Sequence, residues 1–414
     1  MGDWAGKQVE IEVTNIAHGG ISVGRHDGRV VFVSDAIPGE TVLARISDDS
    51  KKSFWRAETV SVLTPSPHRR PHIWAAASVD RAPENRAGGA EFGHIEIGHQ
   101  RELKRQVLAD SLKRMASIEW PVIVEPLPGE ENGTGWRTRV RLHVAEDGTA
   151  GPYAARSHRV IPVTDLPLAT AEAQAIAPLD EKFTSVDHID VVVPSSGNPF
   201  VLQGSADRAV KHKAQRIVEK VGDREFRLDA RGFWQVHRDA AQTLTTAVQT
   251  AIDETRFDPR AANLDLYGGV GLLAAAVGDR FGNHLRMTTV ESDHQATDHA
   301  AENLSEWVGA AAVTGRVENF LRSLNRDAGP AERARLQNAT VVLDPPRSGA
   351  GKAVVDELAA LKPDQLVYVA CDPVALSRDL ALLEGHGYEL VGLRAFDLFP
   401  NTHHVEAVAT LVRA

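Results

Sequence analysis

Cys371 is the only cysteine in 414 residues; it follows the apolar run Leu366-Val-Tyr-Val-Ala370 and precedes Asp-Pro. Asp344 holds a similar place, after Val341-Val-Leu343 and before Pro-Pro-Arg. Glu406 heads a late apolar run, Ala407–Val412, and Glu291 closes Met287-Thr-Thr-Val290. A thiol and two acids over a methyl donor would suit methylation of a pyrimidine carbon. Uracil C5 is too weak a nucleophile to take a methyl group directly. A thiolate adding at C6 makes the ring an enolate, and C5 can then attack a sulfonium methyl. A base must afterwards remove the C5 proton so that the thiol can leave.

The donor side of that chemistry has its own signal. Asp265-Leu-Tyr-Gly-Gly-Val-Gly271 reads as a strand end followed by a Gly-rich turn, where a ligand can approach the backbone and the next helix N-terminus. Glu291 stands 26 positions after Asp265 and is placed to accept hydrogen bonds from a ribose. NAD and S-adenosylmethionine both satisfy that pair. The spacing is long for a dinucleotide crossover and the turn is not G-x-G-x-x-G, which favours S-adenosylmethionine.

These residues need a frame that brings strand ends together. From 246 to 414 strand-like and helix-like stretches alternate, which predicts an α/β, doubly wound, mostly parallel sheet. Such sheets bind ligands outside the carboxyl ends of their strands, so Asp344, Cys371 and Glu406 are expected to share one crevice. Residues 1–64 read as five short strands broken at Gly19-Gly20, Asp27-Gly28 and Pro38-Gly39, a small OB-fold-like β barrel. Residues 65–245 read as an α+β central domain. It holds a helix at 94–116 that could pack on the catalytic domain, and a strand at 135–144 that puts Arg137, Arg139 and Arg141 on one face. RNA phosphate or neighbouring acids would both answer those three charges. The basic stretch 208–220 reads as a solvated helix or loop face.

Net charge is −10, with −8 of it in 246–414, where 15 Lys/Arg face 23 Asp/Glu. Nucleic-acid binders usually present a basic surface, so an RNA partner must be held by local patches. No apolar run is long enough to span a bilayer, and MGDWAGKQVE lacks an apolar signal core, so no membrane partner and a cytoplasmic location are expected. One cysteine excludes intramolecular disulfides and all-cysteine metal sites.

The stretch "GGISVGRHDGRVVFVSDAIPGE" resembles a TRAM domain, an RNA-binding module, with Lys51, Lys52, Phe54 and Trp55 offering charge and stacking to RNA. The motifs "LDLYGGVGLLA", "VVLDPPRSGAG", "YVACDPVALSRDLALL" and "FDLFPNTHHVEAVATLV", with "RGFWQVH" upstream, resemble the TrmA/RumA (RlmD-like) RNA uracil-C5 methyltransferases. That resemblance implies a class I methyltransferase (Rossmann-like) domain and S-adenosyl-L-methionine as donor. It implies Cys371 as nucleophile, Glu406 as proton acceptor, and Gln235, Tyr267, Glu291, Asn319 and Asp344 as donor or active-site contacts. Leu272 departs from it, standing where the family usually has Asn. Most of the family resembles an iron–sulfur protein with "CGGC", where this chain has Ala87-Gly-Gly-Ala90, so no iron–sulfur cluster is expected. His72, His94 and His99 are read as polar surface rather than as metal ligands, so the expected metal set is none. Ribosomal RNA ranks ahead of tRNA because a TRAM-like barrel accompanies the ribosomal branch more often. Two rivals stand beside this reading: a nitrogen methyltransferase, which needs no cysteine, and an RNA-binding protein that has lost catalysis.

Overall fold

The computed structural model describes residues 4–128, 131–205, 214–282 and 284–414. Strands β1 (Gln8–Ala17), β2 (Ile21–His26), β3 (Arg29–Ser34), β4 (Thr41–Asp48) and β5 (Phe54–Thr64) close into a barrel in the order β1-β2-β3-β5-β4. Alternation drives closure: Val9, Ile11, Val13, Val31, Val33, Val42, Ala44, Ile46 and Ala57 all point inward. The β2–β3 turn is Asp27-Gly28, both with positive φ (47° and 77°), as a two-residue hairpin requires. Trp55 falls on the inward parity. It is 4% exposed and packs on Trp4, so it does not offer RNA the stacking face expected of it.

The barrel is tied to the next segment by buried ion pairs. Arg69 donates to both oxygens of the fully buried Glu40 at 2.5 and 2.8 Å, and Arg86, itself buried, donates to Asp35 at 2.7 Å. Removing either partner of such a pair strands a buried charge, a loss of about 3–5 kcal/mol. Helix α1 (Ile97–Ser111) then leads to β6 (Val124–Glu125). A separate antiparallel sheet has the order β10-β9-β7-β8, from β7 (Arg139–Val144), β8 (Ala150–Gly151), β9 (His188–Val192) and β10 (Phe200–Gly204). The short helix α2 (Ala171–Ile176), capped by Thr170, packs beside β9, and the hairpin β11 (Arg216–Val221) and β12 (Arg224–Asp229) follows. Of the basic stretch 208–220, residues 208–213 lie outside the described residues, and the rest enters β11.

Helix α3 (Ala240–Ala251) crosses the 245/246 position and opens the last unit. There β13 (Asn263–Leu266), α4 (Leu272–Phe281), β14 (Met287–Glu291), α5 (His294–Asn303), β15 (Ala310–Thr314), α6 (Val317–Asp327), α7 (Pro330–Gln337), β16 (Thr340–Leu343), α8 (Gly351–Leu361), β17 (Gln365–Ala370), α9 (Pro373–Gly385), β18 (Tyr388–Phe396) and β19 (Glu406–Arg413) alternate. The sheet order is β15-β14-β13-β16-β17-β19-β18-β6, parallel from β15 to β17, with β19 antiparallel to both β17 and β18. Every residue of β13, β16 and β17 is buried, as expected of parallel strands covered on both faces. α3 and α4 contribute to the core on one face, and α8 and α9 to the other. The eighth strand, β6, comes from far upstream and pairs with β18, while α1 buries Leu108 in the core below α9. Lys104 of α1, fully buried, donates to the fully buried Asp397 at 2.5 Å and to the Phe399 carbonyl at 3.0 Å. Residues 97–125 are therefore built into the C-terminal sheet. Among the described residues no helix is long and apolar enough to cross a membrane.

Candidate active site

The topology puts four strand ends on one edge. β13, β14, β16 and β17 run parallel and end there; β19 runs the other way and begins there. A crevice of about 1000 Å³ opens above them, and Cys371, Glu406, Asp344, Glu291, Tyr267 and Gln235 all line it. Asn319 does not. It sits exposed on the first turn of α6, where its side-chain oxygen accepts from Arg322.

The donor side is shaped by the turn after β13. Tyr267, Gly269 and Gly271 have φ of 64°, 54° and 90°. Gly268 allows no side chain, since a Cβ there would stand 2.4 Å from Asp265 Oδ2 and 2.3 Å from Thr289 Cγ2. Gly269, by contrast, has open space above it. Glu291 Oε2 accepts from Gly269 N at 3.2 Å, and Oε1 accepts from Asp293 N at 2.8 Å and Ser292 Oγ at 3.0 Å. An open glycine backbone beside an acid at a strand end fits a ribose-bearing ligand. Leu272 is buried in the core and presents no polar group there, so the contact expected of an Asn is absent.

The reactive side is a line of acids. Asp265 is fully buried, one of its oxygens has no hydrogen-bond partner, and burial pushes its carboxyl up to about 7. Burial, with the Asp265 charge behind it, pushes Asp344 up to about 7 as well. Glu406, the first residue of β19 and 4% exposed, is held well above the carboxylate range by burial and then by Asp344. Cys371 lies half-buried at the end of the line, its thiol pushed up to about 12 by burial, then by Glu406 and Asp344. Arg347, from the Pro-Pro-Arg turn, works against both shifts. Tyr267 is also pushed up to about 12, by burial first.

Two features of the crevice, an exposed ring and a pair of arginines, go beyond the sequence reading, which places Arg137 on a strand face but not in the crevice. Phe233 presents a ring that is 73% exposed. Arg137 and Arg347 both face the crevice, and neither has a carboxylate partner within ion-pair distance among the described residues. The three-arginine face resolves unequally. Arg141 forms a two-pronged pair with Asp190 at 2.7 and 2.8 Å, and Arg139 meets Glu219 at 3.2 Å and the Gly232 carbonyl at 2.8 Å. Neighbouring acids answer those two, while Arg137 turns inward.

Ala87 and Ala90, 4% and 1% exposed, sit in an apolar core with Trp74, Trp136 and Ala154. His72 and His94 lie with ring centres 6.0 Å apart, and burial pushes His72 down to about 4 and His94 well below its usual value. His94 is buried and His72 half-buried, rather than the polar surface expected. His99 stacks on His68 at 3.9 Å, and no group of three potential ligands that could hold a metal ion occurs among the described residues.

Residues 210–414 match the family described as tRNA (Uracil-5-)-methyltransferase, and residues 5–58 match the TRAM domain. Proteins described as uncharacterized RNA methyltransferases from Streptomyces avermitilis and Streptomyces coelicolor are 34% and 35% identical. The matches cover 98% of this chain and 98% and 93% of those proteins. One from Bifidobacterium longum is 33% identical over 98% of this chain and 97% of its own. Among solved structures, the tRNA (uracil-54, C5)-methyltransferase of Pyrococcus abyssi in complex with S-adenosyl-L-homocysteine superposes with a TM-score of 0.70. It covers 97% of this chain and 99% of its own at 20% identity, a likeness of fold.

Proposed function

The chain belongs to the tRNA (uracil-5-)-methyltransferase family of RNA methyltransferases, with an N-terminal TRAM domain, and from that premise we propose that it methylates C5 of a uridine in ribosomal RNA through Cys371 and Glu406. The observation that carries this reading is the meeting of one thiol, two acids and a glycine turn in a single crevice.

S-adenosylmethionine, the family's donor, would rest between the Gly268-Gly269 turn and Glu291, and when bound it supplies an electrophilic methyl group. Cys371 gives its thiol proton to water, Sγ forms a bond to C6 of the uracil, and the ring electrons move towards the O4 oxygen. Burial and Asp344 hold the Glu406 carboxyl well above the carboxylate range, so we assign to it the proton that O4 takes up as negative charge develops there. C5 takes the methyl group as that group's bond to the donor sulfur breaks, the carbonyl re-forms with C5 now tetrahedral, and the O4 proton passes to water. Glu406, now a carboxylate, takes the proton from C5; the C6–S bond breaks and the thiolate is released. Asp344, packed behind, keeps Glu406 ready to regain a proton, while Arg347 assists ionisation of the thiol.

No step in this scheme uses iron. Ala87 and Ala90 fill core space beside the crevice, and purified protein should be colourless and iron-free while binding the donor. Stoichiometric iron after anaerobic purification would overturn that part.

A second reading, transfer RNA, is favoured by one observation. The Pyrococcus enzyme, named for a transfer-RNA position, has the same architecture over 97% of this chain, so the barrel does not discriminate. Mass mapping of 5-methyluridine in ribosomal and transfer RNA from a deletion strain decides between them. RNA carrying 5-fluorouridine at the mapped site tests the chemistry, because fluorine cannot leave as a proton does. A stable covalent adduct is expected, and its absence with active enzyme would sink the thiol mechanism.

A further inference from the structure

The thiol has a neighbour from the opposite end of the chain. Behind Cys371 lies a second cavity of about 150 Å³, shared by the β1–β2 loop (His18, Gly19, Gly20), the Cys371–Pro373 turn and His403 and His404. His18 Nε2 lies 2.7 Å from Asp372 Oδ2. The other oxygen of the same carboxylate accepts from Val374 N at 3.0 Å and Ala375 N at 2.8 Å, capping α9. One carboxylate thus joins the barrel to the first turn of the helix behind the nucleophile. The loop is also tightly seated: a Cβ on Gly20 would stand 2.5 Å from His403 Cβ and 2.9 Å from Phe92.

We propose that His18 is a positioning residue for the thiol: by holding Asp372 it fixes the Cys371–Pro373 turn and offsets the negative charge placed beside the sulfur. The proposal rests on the assignment of Cys371 as nucleophile. Asp372 is one of the charges that disfavour the thiolate, and it is the one with a cation-forming partner at hydrogen-bond distance. The other charged or titratable groups facing this space are accounted for. Lys104 is engaged by Asp397 and Phe399, Arg347 lies beside His404, and His403 faces Glu91 at 3.6 Å. Glu406 and Asp344 act on the sulfur from the crevice side. The pairing raises His18 and lowers Asp372, so the offset is complete at low pH and fades as pH rises through the histidine's own titration.

The single cysteine makes the test direct. In full-length protein without RNA or donor, the rate of alkylation by iodoacetamide from pH 6.5 to 9 reports thiolate at Cys371 alone. His18→Ala should slow it about three- to tenfold at the acidic end, the effect of moving a largely protonated thiol by half to one pH unit, with the gap narrowing towards pH 9. His18→Gln, which can still donate a hydrogen bond but carries no charge, should slow it less. On the mapped RNA, kcat should fall by a similar factor with KM for the donor unchanged. Superimposable profiles for His18→Ala and wild type, or faster alkylation in the variant, overturn the proposal. Because this readout involves no methylation, a failure of the uridine reading shows up separately, as 5-methyluridine still formed by the Cys371→Ala protein.

Discussion

On the β14 wall of the crevice, Glu291 accepts three hydrogen bonds, from Gly269 N, Asp293 N and Ser292 Oγ. On the opposite wall, the Asp344 and Glu406 side chains accept no hydrogen bond among the described residues; between the two walls, Asp265 keeps one oxygen without any partner while the other accepts from Thr289 of β14. The difference separates two tasks. A carboxylate whose lone pairs are directed by fixed donors is set in place and suits the holding of a ligand. A buried acid without donors keeps its proton until the chemistry moves it. The same division runs through the cations: Arg139 and Arg141 are matched to acids, Arg137 and Arg347 are not.

If the two walls do separate holding from reacting, removing the nucleophile should leave holding intact. Cys371→Ala should abolish turnover while donor affinity, measured by calorimetry, stays near wild type. Donor affinity falling in step with activity would break the comparison. The next largest effect belongs to the proton acceptor. Glu406→Gln should lower turnover about 10²–10⁴-fold, the usual contribution of a positioned acid–base group. Gln can still donate a hydrogen bond to O4 but cannot take the C5 proton, so the lesion should fall late and a covalent enzyme–RNA species should accumulate on denaturing gels. Loss of activity with weakened donor binding and no adduct would move Glu406 to the holding side.

A buried acid with too few donors also leaves a mark on stability. Asp265 is raised to about 7 in the folded protein, so between about pH 4 and 7 the folded state binds more protons than the unfolded state, and stability falls as pH rises through that window. Asp265→Asn keeps the shape and removes the titration. It should therefore melt higher than wild type at pH 8, by up to about 4 kcal/mol for some three pH units at 1.4 each, with the difference closing towards pH 4. A variant equally less stable at both pH values would show that the Thr289 hydrogen bond, not the charge, dominates this site.

Much of the reactive side was legible because strand ends are legible. Cys371, Asp344 and Glu406 each adjoin an apolar run, and a doubly wound sheet gathers such ends at one edge. What stayed hidden depends on partners distant in sequence. Alternation places Arg137, Arg139 and Arg141 together, yet says nothing of Glu219 or Asp190 across the sheet. Parity decides that Trp55 points into the barrel, and the hairpin register that sets it is fixed only when all five strands close. A helix at 94–116 packed on the catalytic unit was within reach of the sequence, but not that the chain beyond it adds β6 to a sheet whose other strands begin at Asn263. His18 meets Asp372 across 354 positions, and no local pattern announces that contact.

The smallest expected effect is also the finest test of the comparison, because it sets two arginines from one short stretch of chain against each other. Binding to RNA should weaken as salt rises, each phosphate contact on a single strand contributing a slope of about −0.7. Arg141 is exposed, but its guanidinium is already committed to Asp190 in a two-pronged pair. Its replacement by Ala removes one charge and frees another of opposite sign, so the slope should hardly change. Arg137 faces the crevice without an acid, and burial together with Arg347 pulls its guanidinium below its usual value, so an arriving phosphate would relieve an existing cost. Arg137→Ala should lower the slope by about 0.7 and weaken binding of a short single-stranded RNA spanning the mapped uridine more than that of an unrelated duplex. The single-stranded preference follows from the need to bring a base to Cys371, which costs a few kcal/mol when it must first be unstacked and least when it is already unpaired. Equal slopes for the two variants would mean that partnership in the free protein does not decide which charges meet RNA, and that the barrel or another surface carries the contact.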